Sequence, residues 1–328
     1  MNYSRFRSLL GTTVLSLLVS TTATSYAADT YPSKTVTLQV GFAPGGGTDL
    51  IARLLAHKLT EALGQSFVVE NRPGATGMIA SKNVAIAPAD GYTLLMGHVN
   101  SQAIAPALMT KPPYDPIKDL SPVFYVGYSP NVLVINPNTP AKTVKELLAL
   151  AKTKPDGLSF ASPGVGSTNH LAGEMLRSET GLKMLHVPYK GSSPAIVDLL
   201  AGRIDMNFDT ISSAESYIKA GRMRALAVTG QQRDSEYPDL PTMNELGYKS
   251  FNITNWYGIF APASTPAPIV DKLHDELARI LQEPDVKAQF KKLAVRTNPM
   301  SVEEFRRFHA DEYEKYREIG KQTGIHLD

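Results

Sequence analysis

Thr35 to Thr48 reads TVTLQVGFAPGGGT. The run to Phe42 alternates β-branched and apolar residues, and it ends in a cluster of glycines. From Asp49 the pattern changes: Leu50, Leu54, Leu55, Leu59 and Leu63 recur at helical spacing. A strand that closes on glycines and opens into a helix is the start of a βα unit. The unit continues in the same way. Phe67–Val69 reads as a short strand, 77–87 as a helix stopped by Pro88, and 92–96 as a strand. A βαβαβ order implies parallel strands with helices on the faces of the sheet.

The same order returns about 120 residues later. Leu158–Ala161 is a strand, 169–179 a helix, 184–187 a strand, 194–201 a helix and 204–208 a strand. The turns correspond position for position: Ala43-Pro44-Gly45-Gly46-Gly47-Thr48 against Ser162-Pro163-Gly164-Val165-Gly166-Ser167. Two such units predict two lobes facing a cleft. Further strands are expected at 225–228 and 256–260, and helices at 268–281, 284–292 and 302–323, the latter packing back on the first lobe. Chain crossings between the lobes are placed near Val126–Pro130 and Asn252–Trp256. Lobe 1 is assigned residues 28–126 plus 254–328, and lobe 2 residues 127–253.

Glycines at a helix start expose unpaired backbone N–H groups and let a ligand approach them without a Cβ in the way. The helix dipole adds partial positive charge at the same point. Together they make an anion site that needs no Arg or Lys. Thr48 and Ser167 are placed as helix N-caps or as hydroxyl donors. One matched turn in each lobe points to a guest that carries a carboxylate.

Composition narrows the function classes. Lys plus Arg number 33 and Asp plus Glu 31. Arg5 and Arg7 precede the uncharged apolar run Leu9–Val19, and Ser25-Tyr26-Ala27 supplies a cleavage site. Residues 1–27 therefore read as a cleaved signal peptide, the apolar run being short for a membrane span. Removal takes both Arg residues and no acid, so the remaining chain is formally neutral. A neutral chain has no electrostatic footprint for nucleic acid. The chain has no Cys, which excludes disulfide scaffolds and thiolate metal sites. Export to an oxidising compartment, with no cofactor and no metal, is the expectation.

Several segments together resemble the Bug-type receptors of tripartite tricarboxylate transporters. They are Gly41-Phe42-Ala43-Pro44-Gly45-Gly46-Gly47-Thr48-Asp49, Val69-Glu70-Asn71-Arg72-Pro73-Gly74-Ala75 and Pro88-Ala89-Asp90-Gly91-Tyr92. In the second half they are Gly164-Val165-Gly166-Ser167-Thr168-Asn169-His170-Leu171-Ala172, Val187-Pro188-Tyr189-Lys190-Gly191, Trp256-Tyr257-Gly258 and Ala261-Pro262-Ala263-Ser264-Thr265-Pro266. The similarity runs from Tyr31 to about Asp328. It implies an α/β, two-lobed periplasmic binding protein fold of type II, with a mixed sheet flanked by helices in each lobe and two crossovers. It also implies a carboxylate ligand and membrane transporter subunits as partner. By matched position it assigns ligand contacts to Phe42, Pro44, Gly46, Gly47 and Thr48 in lobe 1, and to Ser162, Gly164, Gly166, Ser167 and Asp209 in lobe 2. The sequence departs from common family wording at Gly97-His98-Val99-Asn100-Ser101, where a Ser/Thr-rich stretch without His is usual.

Other candidates come from position alone. His98 and Ser101 follow a strand on the cleft side. Tyr189 stands at a strand end and Trp256 near a crossing. Asp209 ends a strand, where it either accepts from a ligand or caps 210–213. Asp49 reads as a stabiliser of the first helical turn. His170 reads as a brace for the Gly-rich turn. The competing function is an exported nucleotide-dependent enzyme: Glu70 mimics a ribose-binding acid, but Leu50 stands where the dinucleotide fingerprint needs its last glycine. No P-loop, Gly-x-Ser-x-Gly or His-x-x-x-His pattern occurs. A third reading is a receptor that presents its ligand to a membrane kinase.

Overall fold

A computed structural model describes residues 31–189 and 192–327. The expected signal peptide, the Lys190-Gly191 pair and Asp328 lie outside the described residues.

The first unit forms β1 (Val36–Val40), α1 (Gly47–Leu63), β2 (Phe67–Asn71), α2 (Met78–Ala85) and β3 (Thr93–His98). β1 pairs in parallel with both β2 and β3. The second unit forms β5 (Leu158–Ser162), α5 (Thr168–Thr180), β6 (Met184–Pro188), α6 (Ser192–Leu200) and β7 (Met206–Thr210). β5 pairs in parallel with β6 and β7. The two halves thus repeat one topology, with the first strand between the other two.

Between them runs β4 (Leu120–Ile135), a strand that belongs to both halves. Its first part, to Pro130, pairs antiparallel with β9 (Thr254–Pro262), which in turn pairs with β3. Its last part, from Asn131, pairs with β7 and with β8 (Arg224–Val228). The strand order is β2-β1-β3-β9-β4-β7-β5-β6, with β8 beside β4. The chain passes from one sheet to the other at Pro130/Asn131 and returns at Ile253/Thr254. β4 carries bulges between Pro122 and Phe124 and between Tyr125 and Gly127. Gly127 has φ +144, and a Cβ there would meet the Arg296 carbonyl at 2.5 Å.

Alternation sorts the side chains of the second sheet. Val132 and Val134 pack with Ile196, Leu199 and Ile211 on one face, while Leu133 and Ile135 join the larger core on the other. Both faces are buried, as parallel βα units require. Three more helices complete that half and the link to it: α3 (Ala105–Leu108), which follows a π-helical segment at Asn100–Ile104, α4 (Val144–Thr153), and α7 (Ile211–Lys219) after β7. After β9, α8 (Ala267–Ile280) opens the C-terminal third and is followed by α9 (Pro284–Lys292) and α10 (Val302–Thr323).

Helices α8 and α10 pack on β4, and α8 also on α1. A capping box starts α10: the Ser301 hydroxyl accepts from Glu304 N–H, and the Glu304 carboxylate accepts from Ser301 N–H. On its inner face Phe305 fills the space above Gly258, where a Cβ would collide with the ring. Among the described residues no helix is long and apolar enough to cross a membrane.

Candidate ligand-binding site

The first Gly-rich turn is tied down from below. Asp49, in the first turn of α1, accepts from Gly45 N–H (2.8 Å) and Arg53 Nε (2.9 Å) through one oxygen, and from Asn71 Nδ2 (2.8 Å) through the other. Asn71 also donates to the Phe42 carbonyl at 3.0 Å. Burial pushes the Asp49 carboxyl up, but the bonds from Arg53, Gly45 and Asn71 outweigh it and hold the group below the usual carboxylate range. Asp49 is therefore the brace of this turn.

Gly46, not Thr48, is the N-cap of α1, and it brings no side-chain cap. Thr48 lies inside the first turn and caps nothing. The N–H groups of Gly46, Gly47 and Thr48 and the Thr48 hydroxyl bond to no other described residue. Pro44 and Gly46 are exposed and Phe42 is half-buried. Four-point donor sets of this kind at the start of a 17-residue helix suit an anion.

The second turn has the same backbone course and different bonding. Ser167 is the N-cap of α5: its hydroxyl accepts from His170 N–H (3.2 Å) and donates to the Gly164 carbonyl (2.7 Å). The Ser162 hydroxyl accepts from Gly164 N–H (3.1 Å) and lies 2.6 Å from His186 Nε2. Gly166 N–H donates to His170 Nδ1 at 3.3 Å, so His170 does brace the turn. Thr168 N–H donates at 3.3 Å to Asn100 Oδ1, which follows β3 in the other sheet. Most donors of this turn are thus engaged within the protein. Asn169 keeps a buried amide Nδ2 with no partner among the described residues.

The turns do not face each other head-on. A Cβ at Gly47 would lie 3.8 Å from the Ser212 hydroxyl, at the start of α7. A Cβ at Gly164 would lie 4.0 Å from Thr76 Cγ2, in the turn before α2. Each glycine turn therefore meets a neighbouring segment of the opposite half.

Asp209, the next-to-last residue of β7, is fully buried. Its carboxylate accepts from Thr210 N–H (2.8 Å), the Ser192 hydroxyl (3.1 Å) and Asn207 Nδ2 (3.1 Å). Burial, only partly offset by these bonds, pushes its pKa up to about 6. It does not cap 210–213, because the Thr210 hydroxyl accepts from Ser213 N–H and caps α7 itself. A chain of buried amides leads back to the crossing strands: Thr168 Oγ1 donates to Asn255 Oδ1 at 2.7 Å, and Asn255 Nδ2 to Asn131 Oδ1. Asn100, Asn131, Asn169, Asn207 and Asn255 were not singled out from sequence. They share no local signal: Asn100 follows the end of β3, Asn169 lies in the first turn of α5, Asn131 lies within β4, and Asn207 and Asn255 are second residues of β7 and β9.

His98 closes β3, buried between Phe42 and Tyr257, with both ring centroids at 5.2 Å. Its Nδ1 accepts from Asn100 N–H at 3.1 Å. Burial pushes its pKa down to about 3, so the ring is neutral. The buried Ser101 hydroxyl donates to the His98 carbonyl (3.3 Å) and accepts from Gln102 (3.1 Å). The half-buried Tyr189 turns its hydroxyl to Asp198 of α6 at 2.7 Å. Trp256 is not brought to the site. Its indole N–H donates to Glu312 of α10 at 3.0 Å, and its ring lies among Phe260, Phe305, Phe308 and His309 in the core. Among the described residues, no cluster of His, Cys, Asp or Glu is arranged to hold a metal ion.

Residues 51–325 match the model of the TctC family, the tripartite tricarboxylate transporter family receptor. The chain belongs to this receptor family. Protein BugT of Bordetella pertussis is 36% identical over 328 residues and is covered, like this chain, over 100% of its length. Among solved structures, Rpa4515 of R. palustris with adipate is 34% identical with a TM-score of 0.84, over 90% of this chain and 99% of that one. MatC of Rhodopseudomonas palustris with bound malate is 32% identical with a TM-score of 0.80, over 88% and 99%. TctC receptors are periplasmic solute-binding proteins, and the α/β architecture described above is theirs.

Proposed function

We propose that this receptor captures a small carboxylate between its two halves and hands it to membrane transporter subunits. The unpaired N–H groups of Gly46, Gly47 and Thr48 at the head of α1 carry this reading. They form a neutral donor set next to Ser212 of the other half. The adipate and malate held by the two R. palustris relatives are acids of the kind such a set would take.

In this reading residues 28–126 with 254–328 form one lobe, residues 127–253 the other, and the chain acts as an exported monomer after loss of residues 1–27. A carboxylate engages the first turn, with Phe42 and Pro44 beside it. Ser162, Gly164, Gly166, Ser167 and Asp209 meet its other end, directly or through water. Closure about the crossings is driven by the difference in the ligand's affinity for the closed and open forms. The role is transport, not catalysis.

Calorimetric titration with mono- and dicarboxylates tests this, with Gly47→Asp as the control. Asp is favoured in the first turn of a helix, so the variant keeps its fold. Its carboxylate then occupies the anion position. We expect at least a tenfold loss of affinity for every acid that binds. Undiminished affinity in the folded variant would remove the first turn from the site.

A further inference from the structure

We propose that Phe42, His98 and Tyr257 form an uncharged, ring-walled subsite that selects an aromatic acid bearing a neutral hydrogen-bond acceptor. The proposal rests on the receptor reading above and adds the class of ligand.

His98 and Tyr257 are register partners on β3 and β9, so their side chains stand side by side on one face of the sheet. Phe42 closes the row from the end of the first turn and is itself held against Gly77, where a Cβ would lie 3.3 Å from the ring. The row borders the anion turn: a Cβ at Gly47 would lie 4.0 Å from the Tyr257 hydroxyl.

Two donors in this row are unused. The Nδ1 of His98 is occupied as an acceptor, so its proton sits on Nε2. No described residue accepts from that Nε2–H, nor from the Tyr257 hydroxyl. Yet His98 is only 6% exposed and Tyr257 3%. Neither donor atom is itself sealed in: both reach accessible space at the tips of otherwise buried rings, where a ligand meets them. Two such donors beside a binding turn point to a ligand that completes them.

The charge environment sets which ligand. Burial alone moves both groups from their ordinary pKa, His98 down to about 3 and Tyr257 upward, with no charged side chain contributing. Arg53, which reaches the turn from α1, is spent on Asp49 and Asn71. A second carboxylate would be desolvated here without a counter-charge. A flat ring carrying a hydroxyl or carbonyl oxygen would instead meet three aromatic faces and edges and two neutral donors.

Calorimetry on the recombinant chain with 4-hydroxybenzoate, benzoate, terephthalate, adipate and malate decides it. The hydroxybenzoate is expected to bind at least tenfold more tightly than terephthalate, adipate or malate. Tyr257→Phe removes a single oxygen and is expected to weaken hydroxybenzoate roughly tenfold with little effect on benzoate. His98→Phe, which keeps a ring and loses the donor, is expected to do the same. Adipate or malate binding most tightly, lost in Gly47→Asp but unchanged in both Phe variants, would overturn the subsite and leave the receptor reading standing. Absence of binding by all five acids would overturn both.

Discussion

Gly47 and Gly166 occupy matching turns, and their substitution has different consequences. Gly47 has ordinary backbone angles, and a Cβ there would make only ordinary contact with the Ser212 hydroxyl at 3.8 Å. Gly166 has φ +79, and its Cβ would meet Leu327 at 2.6 Å. Gly166→Asp should therefore lower the melting temperature as well as affinity, by strain on the order of 1–3 kcal/mol. Gly47→Asp should lower affinity alone, and thermal unfolding of the two variants side by side separates the effects. At this scale the sequence was partly legible. Ser167 caps its helix as its residue type suggests, while Thr48 does not, because α1 begins at Gly47 with Gly46 as its N-cap, two residues earlier than a Thr48 cap requires. Trp256 looked like a cleft residue and Tyr257 passed unnoticed. Successive residues of β9 point to opposite faces, and only the pairing of Tyr257 with His98 tells which face is the cleft.

Among elements, those with clear periodicity were readable. The expected strand at Leu158–Ala161 extends by one residue, and the helices at 284–292 and 302–323 match α9 and α10 in their bounds. β4 was hidden, since Pro122, Gly127 and Pro130 read as breakers. It survives them through its two bulges and through pairs with partners remote in sequence. The capping box of α10 is a local feature with a measurable weight. Ser301→Ala should destabilise the protein by about 1 kcal/mol, a fall in melting temperature of about 2–4 °C. An unchanged melting temperature would show that packing of Phe305 and Tyr316 fixes the helix start without the cap.

The whole molecule has a legible plan, because a repeated βαβαβ order is visible as matched turns, whereas the sharing of β4 is a property of pairing and leaves no local pattern. Its response to acid follows from buried imidazoles. Burial pushes His98 down to about 3 and His170, His186 and His309 down to about 4. Their folded values lie below the unfolded 6.5, so the stability they carry is complete above pH 6.5 and is lost as pH falls toward 4. Asp209 works the other way. Its folded value of about 6 lies above the unfolded 3.8, so its contribution is complete below 3.8 and is lost as pH rises through 6. Four imidazoles against one carboxyl predict net acid destabilisation. The melting temperature should fall by about 10 °C or more between pH 7 and pH 4.5. Asp209→Asn, lacking the opposing gain, should show the steeper fall. A melting temperature flat across this range would mean that these histidines are open to water.

The burial of Trp256 has an optical consequence. It is the chain's one tryptophan, sealed between β9 and α10 beside His309 and Glu312. Its emission should be blue-shifted in the native protein and move to the red only when α10 lifts from β9. The neighbouring ring of Tyr257 faces away from it, toward His98. Ligand capture would then leave the emission maximum almost unmoved, while protonation of His309 quenches it, and intrinsic fluorescence becomes a gauge of the α10 junction that is nearly blind to the cleft.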